Sequence, residues 1–192
     1  MSQGSARILP SSVTDATLGG SKRLFFGLSL SQISRPLQLL QKQLVSSGRA
    51  VHPDNFHLTL AFLGMTPENR LAELDQLAKQ LAGTPFEITL DTLGHFKKAR
   101  VLWIGPGDLP APLELLASTL ARRISELGIH VDWRTPYRPH ATLYRKWQGA
   151  LPELEIPPIR VKIDAFSLFE SRSFPEGVRY LELARYPLQE HS

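Results

Sequence analysis

The sequence predicts an α+β fold: two pseudo-symmetric lobes of mainly antiparallel sheet, flanking helices, and a cleft between the lobes. Three observations carry that expectation. Short apolar or alternating runs mark strands, and leucine stripes at helical spacing mark three helices. The order strand, helix, strand occurs twice, from Leu24 to His57 and again from Val101 to His140. The helices are too few and too irregular for a doubly wound parallel sheet.

The elements follow in order. Residues 1–22 are rich in Ser and Gly and show no apolar periodicity, so they read as a disordered tail or a cloning remnant. One bilobal domain is expected over residues 23–188. Arg23 to Leu30 is an apolar strand, and Ser34 reads as the cap of a helix with Pro36 in its first turn. Ile33, Leu37, Leu40 and Leu44 draw one stripe on that helix, and Gly48 stops it. Asn55 to Leu63 is the second strand, ended by Gly64. Thr66 and Pro67 read as cap and first residue of a helix striped by Leu71, Leu74, Leu77 and Leu81, with Gly83 as its end.

Phe86, Ile88 and Leu90 alternate with polar residues, which is the period of a half-buried strand. Val101 to Ile104 is another strand. Leu113, Leu116, Leu120, Ile124 and Leu127 stripe a third helix, closed by Gly128. His140 to Arg145 is a strand. A proline-rich loop leads to an alternating strand over 159–163, and 178–184 supplies a partner strand at the end of the chain.

Composition narrows the chemistry. The 192 residues contain no Cys, which excludes a disulfide framework, a thiolate zinc site and a Cys nucleophile. No apolar run is long enough for a membrane helix. No secretion signal is visible, so a cytoplasmic protein is expected, and nothing demands more than a monomer. The net charge of +4 suits an anionic partner without proving one.

One constellation carries chemistry. His57-Leu58-Thr59-Leu60 and His140-Ala141-Thr142-Leu143 share the pattern His-x-Thr-Leu at matched places in the two halves. Side chains alternate along a strand, so His57 and Thr59 share one face while Leu58 and Leu60 enter the core. The same holds for His140 and Thr142 against Ala141 and Leu143. A pseudo-twofold axis would bring both pairs to one cleft. A phosphodiester needs a base for the attacking oxygen and an acid for the leaving one, and imidazole serves either at neutral pH. The two hydroxyls donate to phosphoryl oxygens, where charge develops. No metal and no other cofactor is required by this scheme.

Arg145 is a weaker phosphate-binding candidate. Strict alternation places it opposite His140, so a bulge or strand end is needed to turn it inward. Tyr137 and Arg138 flank the second motif as rim residues. Lys97, Lys98 and Arg100 read as a solvated loop. Among Trp103, Trp133 and Trp147, each able to stack a base, Trp103 reads as core. His52, His95 and His130 lack a duplicated context and read as surface or structural. Lys162-Ile-Asp164-Ala165 lacks the glycine of a nucleotidyl-lysine motif, and Gly19-Gly-Ser-Lys22 is too short for a phosphate loop, so ATP has no support.

Asn-Phe-His57-Leu-Thr59-Leu-Ala-Phe-Leu-Gly64 and Arg-Pro-His140-Ala-Thr142-Leu resemble the paired motifs of the 2H phosphoesterase superfamily. Arg23-Leu-Phe-Phe-Gly-Leu and Arg100-Val-Leu-Trp-Ile-Gly105 resemble its bacterial RNA 2′,3′-cyclic phosphodiesterases, formerly called 2′-5′ RNA ligases. The resemblance spans residues 23–186. It implies hydrolysis of RNA 2′,3′-cyclic phosphate ends, or nucleotides so ended, to 2′-phosphomonoesters. It also implies that His57 protonates the leaving 3′-oxygen and that His140 activates water. The alternatives are a 2′-5′ RNA ligase, a phosphodiesterase of small cyclic nucleotides, and a non-catalytic RNA-binding module.

Overall fold

The computed structural model describes residues 19–44, 48–81 and 83–189. Most of the expected tail, 1–18, lies outside the described residues. Its last part departs from expectation, because β1 (Ser21–Ser29) already includes Ser21 and Lys22. Lys22 is held there by Glu68 at 3.3 Å and by the buried Glu170 at 3.7 Å.

The helix α1 (Ser34–Gln43) is entered through a 3-10 turn at Ser31–Ile33, so Ser34 is not its cap and no side chain caps it. The apolar stripe behaves as expected, with Ile33, Leu37, Leu40 and Leu44 all buried. The helix ends at Gln43, ahead of Gly48. A two-residue strand, β2 (Arg49–Ala50), precedes β3 (His57–Pro67).

Gly64 does not end β3. It sits inside the strand at φ 70°, where Leu24 pairs Gly64 and Phe25 pairs Phe62, leaving Leu63 as an extra residue. Glycine reaches that left-handed conformation without the steric penalty of a Cβ, so it absorbs a bulge here. Thr66 and Pro67 therefore remain in the strand, and a 3-10 turn over Glu68–Arg70 leads into α2 (Leu71–Lys79). That helix also ends before Gly83.

Next come β4 (Phe86–Leu90), β5 (Thr92–Phe96), β6 (Val101–Gly105) and α3 (Ala111–Glu126). Gly128 follows α3 at φ 74°, as a helix-terminating glycine does. The chain closes through β7 (Ala141–Arg145), β8 (Ile159–Ile163), β9 (Ala165–Phe174) and β10 (Gly177–Pro187). The sequence pattern misses β2, β5 and β9. Of these, β9 lies deep in one sheet with Phe166 to Glu170 all buried, so it shows no alternation to detect.

The strands form two four-stranded sheets, ordered β10-β9-β1-β3 and β2-β7-β6-β5, plus the pair β4-β8. Every pairing among the described residues is antiparallel. In each half the His-x-Thr strand lies beside the strand that opens its unit: β3 on β1, and β7 on β6. One helix bridges each such pair, α1 in the first lobe and α3 in the second. The apolar face of α3, including Leu113, Leu120 and Ile124, is fully buried, and the helix packs on β3 of the other lobe. That packing joins the lobes through one hydrophobic core, which fixes the sheets relative to each other.

Candidate active site

Leu58, Leu60, Ala141 and Leu143 are buried, while His57, Thr59, His140 and Thr142 are half-buried beside them. The strand alternation read from the sequence therefore holds in both motifs, although His140 stands one residue ahead of β7. All four polar residues line one cleft of about 810 Å³ between the sheets.

A second feature repeats. In the first lobe Phe26 pairs Ala61 and Gly27 pairs Thr59, which leaves Leu60 extra. In the second, Leu102 pairs Tyr144 and Trp103 pairs Thr142, which leaves Leu143 extra. The irregularity thus falls on the residue after the Thr in each motif. Two consecutive residues turn inward at each place, Leu60 with Ala61 and Leu143 with Tyr144. The side chains that follow then change face. In consequence Arg145 lines the same cleft as His140, and so does its counterpart Phe62. The bulge that Arg145 needs is present.

Both imidazoles are fixed in the same way. Nδ1 of His57 donates to the Asn55 carbonyl at 2.7 Å, and Nδ1 of His140 donates to the Arg138 carbonyl at 2.7 Å. Each bond runs to the residue two positions earlier, and it selects the tautomer that leaves Nε2 for proton exchange. Nε2 of His57 lies 3.1 Å from the Thr59 hydroxyl. Aromatic rings wall each imidazole. Phe25 and Tyr180 stand 4.8 and 4.7 Å from His57, and Phe96 and Trp103 stand 4.9 and 5.9 Å from His140.

These walls set the electrostatics. Burial pushes His57 from the ordinary 6.5 down to about 4; the Asn55 carbonyl opposes this, while His140 and Arg145 add to it. His140 is also lowered, first by burial, with the Arg138 carbonyl opposing and the Arg145 cation assisting. Arg145 thus acts on both rings.

Other residues sort as follows. Tyr137 is more than a rim residue: its hydroxyl donates to the Thr59 carbonyl at 2.8 Å and so ties the two motifs together. Burial raises its pKa. Trp133 is exposed, lines the cleft, and stacks on Tyr137 at 5.4 Å. Trp147 is buried, with its indole N–H on the Ala150 carbonyl, so no base reaches it. Trp103 is half-buried rather than core, and backs His140. Arg138, Lys97 and Lys98 line the cleft, the two lysines from an exposed turn as expected. Arg100 is not among the residues that line it.

Asn55, Phe25 and Tyr180 are site residues that the sequence reading does not single out. The buried Asn55 side chain donates to the Val178 carbonyl at 2.8 Å and accepts from the Tyr180 amide at 3.2 Å, pinning β10 against the His57 loop. Its place two residues before His57 is the available signal; Tyr180 offers none, because its contact depends on sheet order. Among the described residues no group of three or more His, Asp or Glu side chains is arranged to hold a metal ion. No helix among them is long and apolar enough to cross a membrane.

With this geometry in hand, comparisons place the chain among known proteins. The family model described as the 2′-5′ RNA ligase superfamily matches residues 30–173. An RNA 2′,3′-cyclic phosphodiesterase of Escherichia coli (strain K12) is 34% identical over 176 residues, covering 87% of this chain and 97% of the relative. The protein of that name from Bacillus subtilis (strain 168) is 29% identical over 177 residues, covering 85% and 95%. The crystal structure of E. coli LigT complexed with 3′-AMP superposes with a TM-score of 0.78 at 31% identity, over 88% of this chain and 99% of that one.

Proposed function

The chain belongs to the 2′-5′ RNA ligase superfamily, and from that premise we propose that it hydrolyses RNA 2′,3′-cyclic phosphate ends to 2′-phosphomonoesters by metal-independent two-histidine catalysis. The observation that carries this reading is that both His-Thr pairs and Arg145 line one cleft between the two sheets. His140 Nε2 takes a proton from water as the water oxygen attacks phosphorus. The bond from phosphorus to the 3′-oxygen breaks, and His57 Nε2 gives that oxygen its proton. A 2′-phosphomonoester and a 3′-hydroxyl result, and the enzyme is left with the proton on His140 in place of His57. Thr59, Thr142 and Arg145 hold the non-bridging oxygens as charge gathers there.

Each proton-transfer group is worth about 10²- to 10⁴-fold in rate. The fixed Nδ1 bonds support that role, since they hold both rings without using Nε2. The phosphodiester brings its negative charge beside the rings, and so favours imidazolium at the moment of reaction. Trp133 on Tyr137 offers an aromatic face for the terminal base.

The test is a defined RNA with a 2′,3′-cyclic end, incubated with excess EDTA and resolved by phosphorus NMR. The expected product is the 2′-phosphomonoester. A 3′-phosphomonoester, or loss of turnover on chelation, overturns the proposal. Adding RNA with a 5′-hydroxyl end reads the parallel ring opening, in which that hydroxyl attacks phosphorus in place of water and a 2′-5′ phosphodiester forms; any joining is expected to be minor beside hydrolysis.

A further inference from the structure

A second cavity of about 530 Å³ opens beside the cleft, lined from α1, β2 and β10. Arg145 and Tyr180 line both spaces, so the two meet at that pair. The Arg145 Nη2 is 3.5 Å from the Tyr180 hydroxyl, a contact long enough to yield to a ligand. Beyond it the wall presents Lys42, Arg49 and Arg179 with a single carboxylate, that of Glu176.

Arg49 is pre-organised. Its Nη2 donates to the Glu176 carbonyl at 2.9 Å, reaching from the second sheet to the β9–β10 turn of the first. It lies against Gly177, where a Cβ would come within 2.6 Å of Nη2. A guanidinium has five N–H donors, and this backbone bond uses one. Among the described residues Arg179 meets one carboxylate, that of the exposed Asp54, at 3.9 Å. A surface pair of that length contributes little and gives way easily to a phosphate.

We propose that this cavity is a subsite for the RNA strand on the 5′ side of the cyclic end, with Arg49 and Arg179 binding an internucleotide phosphate. The inference rests on the reading of the cleft given above, and adds that the substrate is an oligoribonucleotide rather than a mononucleotide. A strand leaving the catalytic pairs past Arg145 meets cationic side chains along its path, as single-strand grooves provide. Within the cleft itself Trp133 offers a ring for a base, beside cations of its own such as Arg134 and Arg138, so the comparison of two substrates decides which set of cations meets the strand.

The test compares wild type with Arg49→Gln/Arg179→Gln on two substrates, a tetraribonucleotide ending in a 2′,3′-cyclic phosphate and a 2′,3′-cyclic mononucleotide. Neither arginine lines the catalytic cleft. Expected is a loss of about tenfold in kcat/KM for the tetranucleotide, carried by KM, with the mononucleotide unchanged. The slope of log affinity against log salt should fall by about 0.7 for each phosphate that no longer meets an arginine. Equal losses on both substrates, or none on either, overturn the subsite. Binding of a tetranucleotide ending in a 2′-phosphate, set against 2′-AMP, reads the subsite without turnover. If wild type cleaves neither substrate, the catalytic reading fails, and this binding comparison still decides the subsite.

Discussion

Binding of a simple dianion should tighten as pH falls, because the cleft keeps His57 neutral until an anion arrives. Burial against Phe25 and Tyr180 brings His57 from 6.5 down to about 4, with the Asn55 carbonyl opposing and the charges of His140 and Arg145 adding. A shift of that size corresponds to about 3 kcal/mol against the imidazolium, an upper bound because the ring is half-buried. The sign follows from linkage. The free protein binds its proton only near pH 4, whereas an anion in the cleft favours the charged ring, so binding takes up a proton as pH falls from the ordinary 6.5 toward that value.

Sulfate is a suitable probe, since it stays a dianion through this range and resembles a phosphoryl group. If it restores His57 to the ordinary 6.5, affinity rises about twentyfold from about pH 7 to about pH 5. Calorimetry in two buffers of different ionisation enthalpy reports both the affinity and the proton uptake. His57→Gln should leave only the increment due to His140, whose pKa is also lowered by burial. Affinity that changes by less than about twofold, or binding without proton uptake, would refute the argument that anion charge loads the acid.

Thr59→Val keeps a β-branched residue in β3 and removes the hydroxyl beside His57. Turnover should fall roughly hundredfold while the thermal midpoint moves by a few degrees at most, as calorimetry can check. An unfolded variant would instead mark Thr59 as a structural residue. Trp133→Ala should raise KM for an RNA end about tenfold with kcat nearly unchanged, the loss of one base stack; steady-state kinetics separate the two constants. Gly94→Ala should lower turnover about tenfold, because its Cβ would land inside the Trp103 indole that backs His140. Full activity in that variant would show that Trp103 does not position the ring.

Much of the site is legible in the sequence because two of its determinants are local. A period of two sorts His57 and Thr59 from Leu58 and Leu60 without knowledge of the fold, and a second copy in the other half supplies the partner. What stays hidden depends on pairing between distant strands. Ser34 reads as a cap because the 3-10 turn before it, which buries Ile33, carries no local signal in the sequence. Gly64 reads as a terminator because a glycine that absorbs a bulge and one that ends a strand are the same letter. Arg145 is ambiguous for the same reason, since Leu143 gives no sign that β6 leaves it unpaired.

The bulges also show where the two halves part company. Both strands change face after the Thr, so both deliver their next side chain to the cleft: Arg145 in one lobe and Phe62 in the other. A second cation at the Phe62 position would lower both imidazoles further and oppose the imidazolium that the leaving oxygen requires. Arg23, which also lines the cleft, sets its guanidinium over the Phe62 ring at 4.9 Å, so the cation of this lobe rests on a ring face. On the proposed mechanism one lobe would hold the phosphoryl charge through Arg145, while the other would keep an acid that the substrate itself loads. Arg145 already acts on both rings, so a second arginine would add to a charge the histidines share, and what separates them is the depth of burial that sends His57 down to about 4. On the proposed mechanism, arginine against phenylalanine at matched bulges is one of the departures from symmetry that would let the two histidines take different roles.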